Sequence, residues 1–187
     1  MKRNILFSAL TAILMGGFST KLVAQRNNGN SGIYVWVSGG LGLSSQNIGG
    51  KLEFSSQFNG HMLSLRLTGA SEFNGILSGG PTPAQNEGEI AVLYGLYTER
   101  KSYTVVAASL GLGLVNGNRR GKFLYDGWFS SEVYENIPFS TVGIAFDFQA
   151  NLTPLSVFGL GFDFLGNINP GISYFCLLVT VQIGKVN

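Results

Sequence analysis

The amino-acid sequence predicts an all-β fold, an eight-stranded antiparallel up-and-down transmembrane β-barrel. Three observations lead to this prediction. Apolar and polar residues alternate with a period of two through eight segments. The connections between these segments alternate between tight turns and longer loops. Charged residues make up only 12% of the chain, while glycine reaches 27 and phenylalanine 14 residues.

The first 24 residues predict a secretory signal peptide. Lys2 and Arg3 form a positively charged start, residues 5–15 are mostly apolar, and Ala24 offers a small residue at the cleavage position. The apolar run is shorter than the roughly 20 residues that a membrane-spanning helix needs. We therefore expect cleavage near Ala24, a short lead over residues 25–32, and a barrel domain over residues 33–187.

Cleavage changes the charge of the chain. Three of the 12 basic residues (Lys2, Arg3 and Lys21) and none of the 10 acidic residues lie in the signal, which leaves nine and ten, a net charge of −1. The basic character therefore belongs to the targeting segment and predicts no nucleic-acid partner. Cys176 is the single cysteine, so an intramolecular disulfide is excluded.

The eight predicted strands share one pattern, in which every charge well inside a strand has the parity of the polar face. The strands are expected over residues 33–44, 50–58, 61–69, 89–98, 103–115, 139–150, 155–165 and 172–184. The charged residues in question are Lys51, Glu53, Arg66, Glu89, Asp147 and Asp163. The rest of the polar face is mainly Gly, Ser, Ala and Thr, as the crowded interior of a narrow barrel requires. The opposite face has no charge, which suits lipid, where a charged residue near the midplane costs about 2–4 kcal/mol.

The connections differ in length between the two ends of the predicted barrel. Tight links are expected at residues 59–60, 99–102 and 151–154, and the others at 46–49, 70–88, 116–138 and 166–171. Because the strand number is even, both termini fall at the end with the tight turns. An interior enclosed by eight strands is just wide enough for side chains to fill it, so we expect a plugged lumen.

Two turns predict cross-strand registers. Asn59-Gly60 is a strong signal for a two-residue hairpin, and it places Glu53 opposite Arg66, which predicts a salt bridge. A turn at residues 151–154 would place Asp147 opposite Gly159 and Asp163 opposite Gly143. The two aspartates would then lie about 16 Å apart, too far for an acid–base pair.

With this alternation, loop pattern and signal peptide, the chain resembles the small eight-stranded outer-membrane β-barrels of Gram-negative bacteria, the OmpA-like and OmpX-like group. The resemblance implies an outer-membrane location with both termini periplasmic. It also implies contact with outer-membrane lipid and lipopolysaccharide. A lumen polar network of the six charged residues would fill the interior.

Three features could carry chemistry, and each also has a structural interpretation. His61, the single histidine, could be a catalytic base as in lipid-modifying enzymes on such barrels, or an interfacial polar residue. Cys176 lacks a neighbouring base and is expected to be a packed lumen residue. Gly111 and Gly113 precede no helix and are expected to provide space rather than bind phosphate. No catalytic residue, metal or cofactor is predicted.

The segment 116–138 is the candidate surface-contact region. It contains Arg119, Arg120, Lys122, Tyr125 and Trp128, a mixture suited to lipopolysaccharide phosphates, an extracellular glycan or a protein. Alternatively, it extends strands 5 and 6 above the membrane, with its aromatic residues at the interface.

The functional hypothesis is a non-enzymatic outer-membrane barrel that anchors surface loops for a structural, adhesive or ligand-contact role. Two alternatives remain. One is an enzyme that modifies lipid A on the same barrel. The other is a soluble exported β-barrel with inverted faces that binds an apolar ligand inside.

Overall fold

The computed structural model describes residues 33–72, 80–98, 104–127, 132–155 and 157–185, apart from the side chains of Asn47 and Lys185. The predicted signal peptide (1–24), the lead (25–32) and Trp128 lie outside the described residues. No helix long and apolar enough to cross a membrane occurs in the described ranges.

Eight antiparallel strands form a closed ring, which confirms the predicted fold class. The strands are β1 (Tyr34–Ser44), β2 (Asn47–Phe58), β3 (His61–Ser71), β4 (Asn86–Tyr97), β5 (Thr104–Asp126), β6 (Glu132–Leu155), β7 (Phe158–Ile168) and β8 (Tyr174–Lys185). Each strand pairs with its neighbours in sequence, and β1 pairs with β8 to close the ring. We call the end with the β2–β3, β4–β5 and β6–β7 connections the turn end, and the opposite end the loop end.

The alternation of residues places polar side chains inside and apolar side chains outside. On β3, Leu63 and Leu65 are 48–49% exposed, whereas Ser64 and Arg66 are at most 2% exposed. A soluble protein rarely exposes an apolar surface this extensive to water. The soluble alternative, which requires the apolar face inside, is therefore wrong about the orientation of the faces.

The lumen is layered along the barrel axis. An apolar cluster of Trp36, Met62, Tyr97, Val105 and Ala107 fills the turn end. A second cluster contains Ala70, Leu165, Tyr174, Cys176 and Leu178 and extends toward the loop end. The buried charged residues lie beside the second cluster, since Asp147 is opposite Leu165, Asp163 is opposite Leu178 and Glu87 is opposite Ala70.

The predicted register of β2 and β3 is confirmed. Asn59 and Gly60 form the turn with φ values of 50° and 79°, both positive as this type of hairpin requires. Glu53 lies opposite Arg66, and Ser55 lies opposite Ser64.

The predicted register of β6 and β7 is wrong. β6 continues through the expected turn to Leu155, so that Asp147 lies opposite Leu165 and Asp163 lies opposite Gln149. The alternation continues here, since Asn151 and Thr153 point inward and Leu152 points outward. Pro154 is tolerated because the ladder is irregular between Leu152 and Leu155.

Strands β5 and β6 extend far beyond the ring, so the segment expected to be a loop is mostly strand. Pairing with β4 ends at Asn118, and pairing with β7 ends at Ile144. Beyond these residues β5 and β6 pair with each other up to Asp126 and Glu132, with irregularities on either side of Phe123. We call residues 119–126 and 132–143 the hairpin. The interpretation of this segment as an extension of the strands is therefore confirmed.

Candidate functional site

The centre of the lumen is organised around the ammonium group of Lys51. Its Nζ lies 3.0 Å from Glu53 Oε2, 3.0 Å from Asp147 Oδ2 and 2.5 Å from Asp163 Oδ2. The three carboxylates come from β2, β6 and β7, and the side chains of all four residues are fully buried. The three hydrogens of the ammonium group can therefore each serve one carboxylate.

Arg66 connects β3 with strands on both sides of the lumen. Its Nη2 lies 2.6 Å from Glu89 Oε1, and its Nη1 donates to the carbonyl oxygen of Phe146 at 2.8 Å. Nη2 also lies 3.3 Å from the carbonyl oxygen of Gly166. The hydroxyl of Tyr174 donates to Glu89 Oε2 at 3.0 Å, which brings β8 into the network.

The expected Glu53–Arg66 salt bridge does not form within the described residues, although the register that suggested it is correct. Glu53 instead pairs with Lys51, and it accepts hydrogen bonds from Ser55 Oγ at 2.7 Å and Gln149 Nε2 at 2.9 Å. The length of the Arg66 side chain explains this, because it is long enough to contact Glu89 and two backbone carbonyls on other strands. Lys51 lies two residues from Glu53 on the same inner face, so its ammonium group is close enough to pair with Glu53.

The predicted separation of the two aspartates is also wrong. Because of the shifted register, Asp163 lies opposite Gln149, only two positions from Asp147. Both carboxylates contact the same Lys51 ammonium group instead of facing Gly159 and Gly143. Gly143 and Gly161 instead give room to the side chains of Asn167 and Asn151.

The network has an excess of acid. Glu53, Glu89, Asp147 and Asp163 face two cations, Lys51 and Arg66. Removing one partner from a buried ion pair typically costs about 3–5 kcal/mol. Together with Tyr174 on β8, the arrangement joins six strands across the lumen, so the network holds the walls of the barrel together.

Sequence reasoning missed three buried polar residues near these charges: Glu87, Gln149 and Tyr174. Glu87 has the same inward parity as Glu89, but the predicted strand began two residues too late to include it. Gln149 and Tyr174 carry no charge, and nothing in the local pattern distinguishes them from other inward residues.

The hairpin at the loop end is held by Arg120. Its guanidinium pairs with the carboxylate of Glu72, and its Nε donates to the carbonyl oxygen of Pro83 at 3.1 Å. The guanidinium carbon also lies 5.9 Å from the centre of the Tyr134 ring. Arg120 thus connects the β3–β4 loop to the hairpin, and its partner Glu72 is a residue that the sequence prediction missed.

Backbone hydrogen bonds strengthen the same connection. Thr82 N donates to Glu132 O at 2.8 Å, and Tyr134 N donates to Thr82 O at 2.8 Å. The Tyr134 hydroxyl donates to Glu132 Oε2 at 2.5 Å, and this hydrogen bond raises the pKa of Tyr134. The described part of the β3–β4 loop and the hairpin therefore form one connected surface.

Arg119, Lys122 and Tyr125 differ from Arg120 in that they are exposed on the hairpin. Phe123, Leu124 and Tyr125 are each more than half exposed, at 53–59%. The structure thus assigns Arg120 an internal structural contact and leaves the other predicted contact residues on the surface.

His61 and Cys176, the remaining residues that could carry chemistry, lie in different parts of the barrel. His61 lies on the outer face at the turn end, where its Nδ1 is 2.6 Å from the Tyr94 hydroxyl and its ring packs near Phe58. Cys176 is buried in the lumen cluster. Among the described residues no group of three or more His, Cys, Asp or Glu could hold a metal ion.

Comparisons with known proteins identify the fold. No family model and no curated protein matches the chain. The crystal structure of Neisserial surface protein A (NspA) matches with a TM-score of 0.58 at 11% identity, covering 83% of this chain and 99% of NspA. Ail, the attachment invasion locus protein of Yersinia pestis, crystallised in complex with the heparin analogue sucrose octasulfate, matches with a TM-score of 0.51 at 11% identity, covering 81% of this chain and 97% of Ail.

These likenesses, together with the closed ring, show that the chain has the fold of the small eight-stranded outer-membrane β-barrels, as the OmpA-like resemblance implied.

Proposed function

We propose that the protein is an integral outer-membrane β-barrel without enzymatic activity, which anchors the hairpin and the β3–β4 loop as a contact surface. The observation that carries this proposal is the distribution of charge in the closed ring. Charged side chains of the ring point inward, while the outer wall exposes residues such as Leu65, Val92, Leu112 and Ile144. Lipid is the environment that such a wall fits.

The orientation of the barrel in the membrane follows from the lengths of its connections. In barrels of this fold the short turns lie in the periplasm and the longer loops lie outside the cell. The hairpin would then project from the cell surface, and both ends of the barrel domain would lie in the periplasm. The aromatic residues Phe58 and Tyr94, with His61, would lie at the periplasmic membrane interface, where aromatic side chains are enriched.

The lumen would serve stability rather than conduction. Trp36, Met62 and Tyr97 fill the turn end, and the salt bridges of Lys51 and Arg66 cross the centre. These layers support a plugged interior, in which the charged residues hold opposite walls of the barrel together.

The contact surface fits an anionic saccharide. Arg119 and Lys122 are exposed, and the neighbouring Phe123, Leu124 and Tyr125 expose apolar area that would lie above the membrane in water. Cations interleaved with aromatic rings suit phosphate or sulfate groups on sugar rings. The complex of Ail with a sulfated sugar supports the same chemistry. Trp128, the further predicted contact residue, lies outside the described residues and stays a prediction from the sequence.

The test measures binding of the folded barrel to lipopolysaccharide and to sucrose octasulfate. The double variant Arg119→Gln/Lys122→Gln should weaken binding of both ligands, and added salt should weaken binding to the unmodified protein. The control is Arg100→Gln/Lys101→Gln, which removes the same charge from the connection between β4 and β5. Equal binding by the three proteins would contradict the proposed contact surface.

A further inference from the structure

The outer wall of the barrel carries a polar pair of side chains at its turn-end edge. His61 is the first residue of β3 and has the same outward parity as Leu63. Its Nδ1 lies 2.6 Å from the hydroxyl of Tyr94, an outward residue of β4 that is 54% exposed. Beyond His61 this hairpin continues only into the Asn59-Gly60 turn, so the pair lies where the apolar wall ends.

Two aromatic rings fix the orientation of the His61 imidazole. Its ring centre lies 5.8 Å from that of Tyr94, with 20° between the ring planes, and 5.9 Å from that of Phe58. Tyr94 lies opposite Leu63, one outward position farther from the turn end than His61. Its hydroxyl therefore contacts Nδ1 from the membrane side of the imidazole. Since Nε2 lies on the other side of the ring, Nε2 is directed toward the turn end.

The contact with Tyr94 determines which nitrogen of His61 carries the proton. A phenol hydroxyl can donate its hydrogen to Nδ1, and the neutral imidazole then carries its own hydrogen on Nε2. Among the described residues, nothing accepts a hydrogen bond from Nε2. A donor at the edge of an apolar wall needs an acceptor, because leaving it unsatisfied in an apolar environment is costly.

We propose that Nε2 of His61 binds the phosphate group of a phospholipid in the periplasmic leaflet, and that Tyr94 positions the imidazole for this contact. The inference rests on the proposed outer-membrane location, in which the turn end faces the periplasm. Phosphate fits because lipid headgroups lie at the level where the apolar wall ends. Its charged oxygens are also stronger acceptors than the neutral carbonyl oxygens of the lipid esters. Interfacial aromatic residues in general need no such hydrogen bond, and the donor at Nε2 distinguishes this site from them.

The test uses the imidazole itself as the reporter, because the chain contains a single histidine. The barrel is folded without an affinity tag, with isotopically labelled histidine, in maltoside micelles that contain no phosphate. Diacyl phosphatidylglycerol, diacylglycerol and inorganic phosphate are added separately, and the nitrogen signals are followed by NMR. We expect phosphatidylglycerol to shift the Nε2 signal and to reach saturation. Diacylglycerol, which has the esters without the phosphate, and free phosphate at the same concentration should leave the signal in place.

The variant Tyr94→Phe supplies the second measurement. It keeps the aromatic ring and removes the hydroxyl, so it should weaken phosphatidylglycerol binding about fivefold, as expected for the loss of one hydrogen bond. It should also let the proton exchange between Nδ1 and Nε2, which moves the two nitrogen signals of His61 toward each other. The matched control is Tyr134→Phe, which removes a hydroxyl from the hairpin and should bind the lipid like the unmodified barrel.

Several outcomes would overturn the headgroup site. They are an Nε2 signal that does not respond to phosphatidylglycerol, an equal response to diacylglycerol or to free phosphate, and unchanged binding by Tyr94→Phe. If Tyr94→Phe does not fold, the comparison of the three ligands in the unmodified barrel decides. Each sample is first tested for a change of gel migration on boiling. Absence of that change would contradict the proposed membrane barrel, whereas a barrel that shows it without the lipid response contradicts the headgroup site alone.

Discussion

Asp147 and Asp163 share one counter-ion: their Oδ2 atoms lie 3.0 and 2.5 Å from the same Nζ of Lys51. The two aspartates belong to adjacent strands, in nearly repeated stretches that place each carboxylate between two phenylalanines. The phenylalanines point outward and the carboxylates point inward. Both stretches therefore build the same arrangement. Their phenylalanines form part of the apolar outer wall, and their aspartates place negative charge around a single ammonium group inside.

The first prediction concerns Lys51. Lys51→Met should destabilise the barrel by about 3–5 kcal/mol, because Glu53, Asp147 and Asp163 would lose their shared cation. Urea unfolding of the barrel in lipid vesicles measures the change. Leu52→Met, at the adjacent outward position, is the control and should change the stability little. A loss below about 1 kcal/mol for Lys51→Met would show that the lysine is not the centre of the network.

The second prediction distinguishes Glu89 from Glu53 as the partner of Arg66. A double-mutant cycle between Arg66→Met and Glu89→Gln should give a coupling energy of about 1–3 kcal/mol, because the two groups are in direct contact. The same cycle between Arg66→Met and Glu53→Gln should give a smaller coupling, although Glu53 lies directly across the ladder. Equal couplings in the two cycles would contradict the observed pairing.

The third prediction tests the register of β6 and β7. Gly161→Ala should destabilise the barrel by about 1–3 kcal/mol, because the new methyl group would overlap the Asn151 side chain. Asn151→Ala in the same chain should recover part of the loss. The control is Gly69→Ala on the outer face, where the nearest atom would be 3.9 Å away. If Gly161→Ala were as mild as the control, Asn151 would not lie opposite Gly161.

The fourth prediction concerns the connection between the β3–β4 loop and the hairpin. Arg120→Gln should increase amide hydrogen exchange and protease cleavage around residues 80–85, because the guanidinium holds Glu72 and the carbonyl oxygen of Pro83. Arg119→Gln removes the same charge from the adjacent residue and should leave exchange unchanged. An equal response to both substitutions would show that charge alone, rather than this contact, controls the loop.

Much of the fold follows from local pattern. Strict alternation is sufficient to place Lys51, Glu53, Arg66 and Asp147 on one face, because side chains of a strand point alternately to its two sides. The Asn59-Gly60 turn also fixes its own register, since both residues adopt the positive φ that the turn requires.

The pairing of charges could not be predicted in the same way. The partners of Arg66 include backbone carbonyls of β6 and β7, far away in sequence, and their proximity depends on how the closed ring brings opposite walls together. The sequence predicts the β6–β7 turn too early, at residues 151–154, because Asn151 and Pro154 are typical turn residues. The continuing alternation through Leu152 and Thr153 was the better signal. Above the ring the alternation weakens, so the local pattern alone does not decide between a surface loop and an extension of strands 5 and 6 over residues 116–138.

The central claim is a closed barrel whose apolar wall faces lipid, and cell fractionation followed by gel electrophoresis tests it most directly. The account predicts that the protein is recovered in the outer-membrane fraction. It also predicts that the unboiled sample migrates at a different apparent mass from the boiled one, because a barrel with every strand paired resists the detergent until it is heated. Recovery in the soluble periplasmic fraction, with identical migration before and after boiling, would contradict the account.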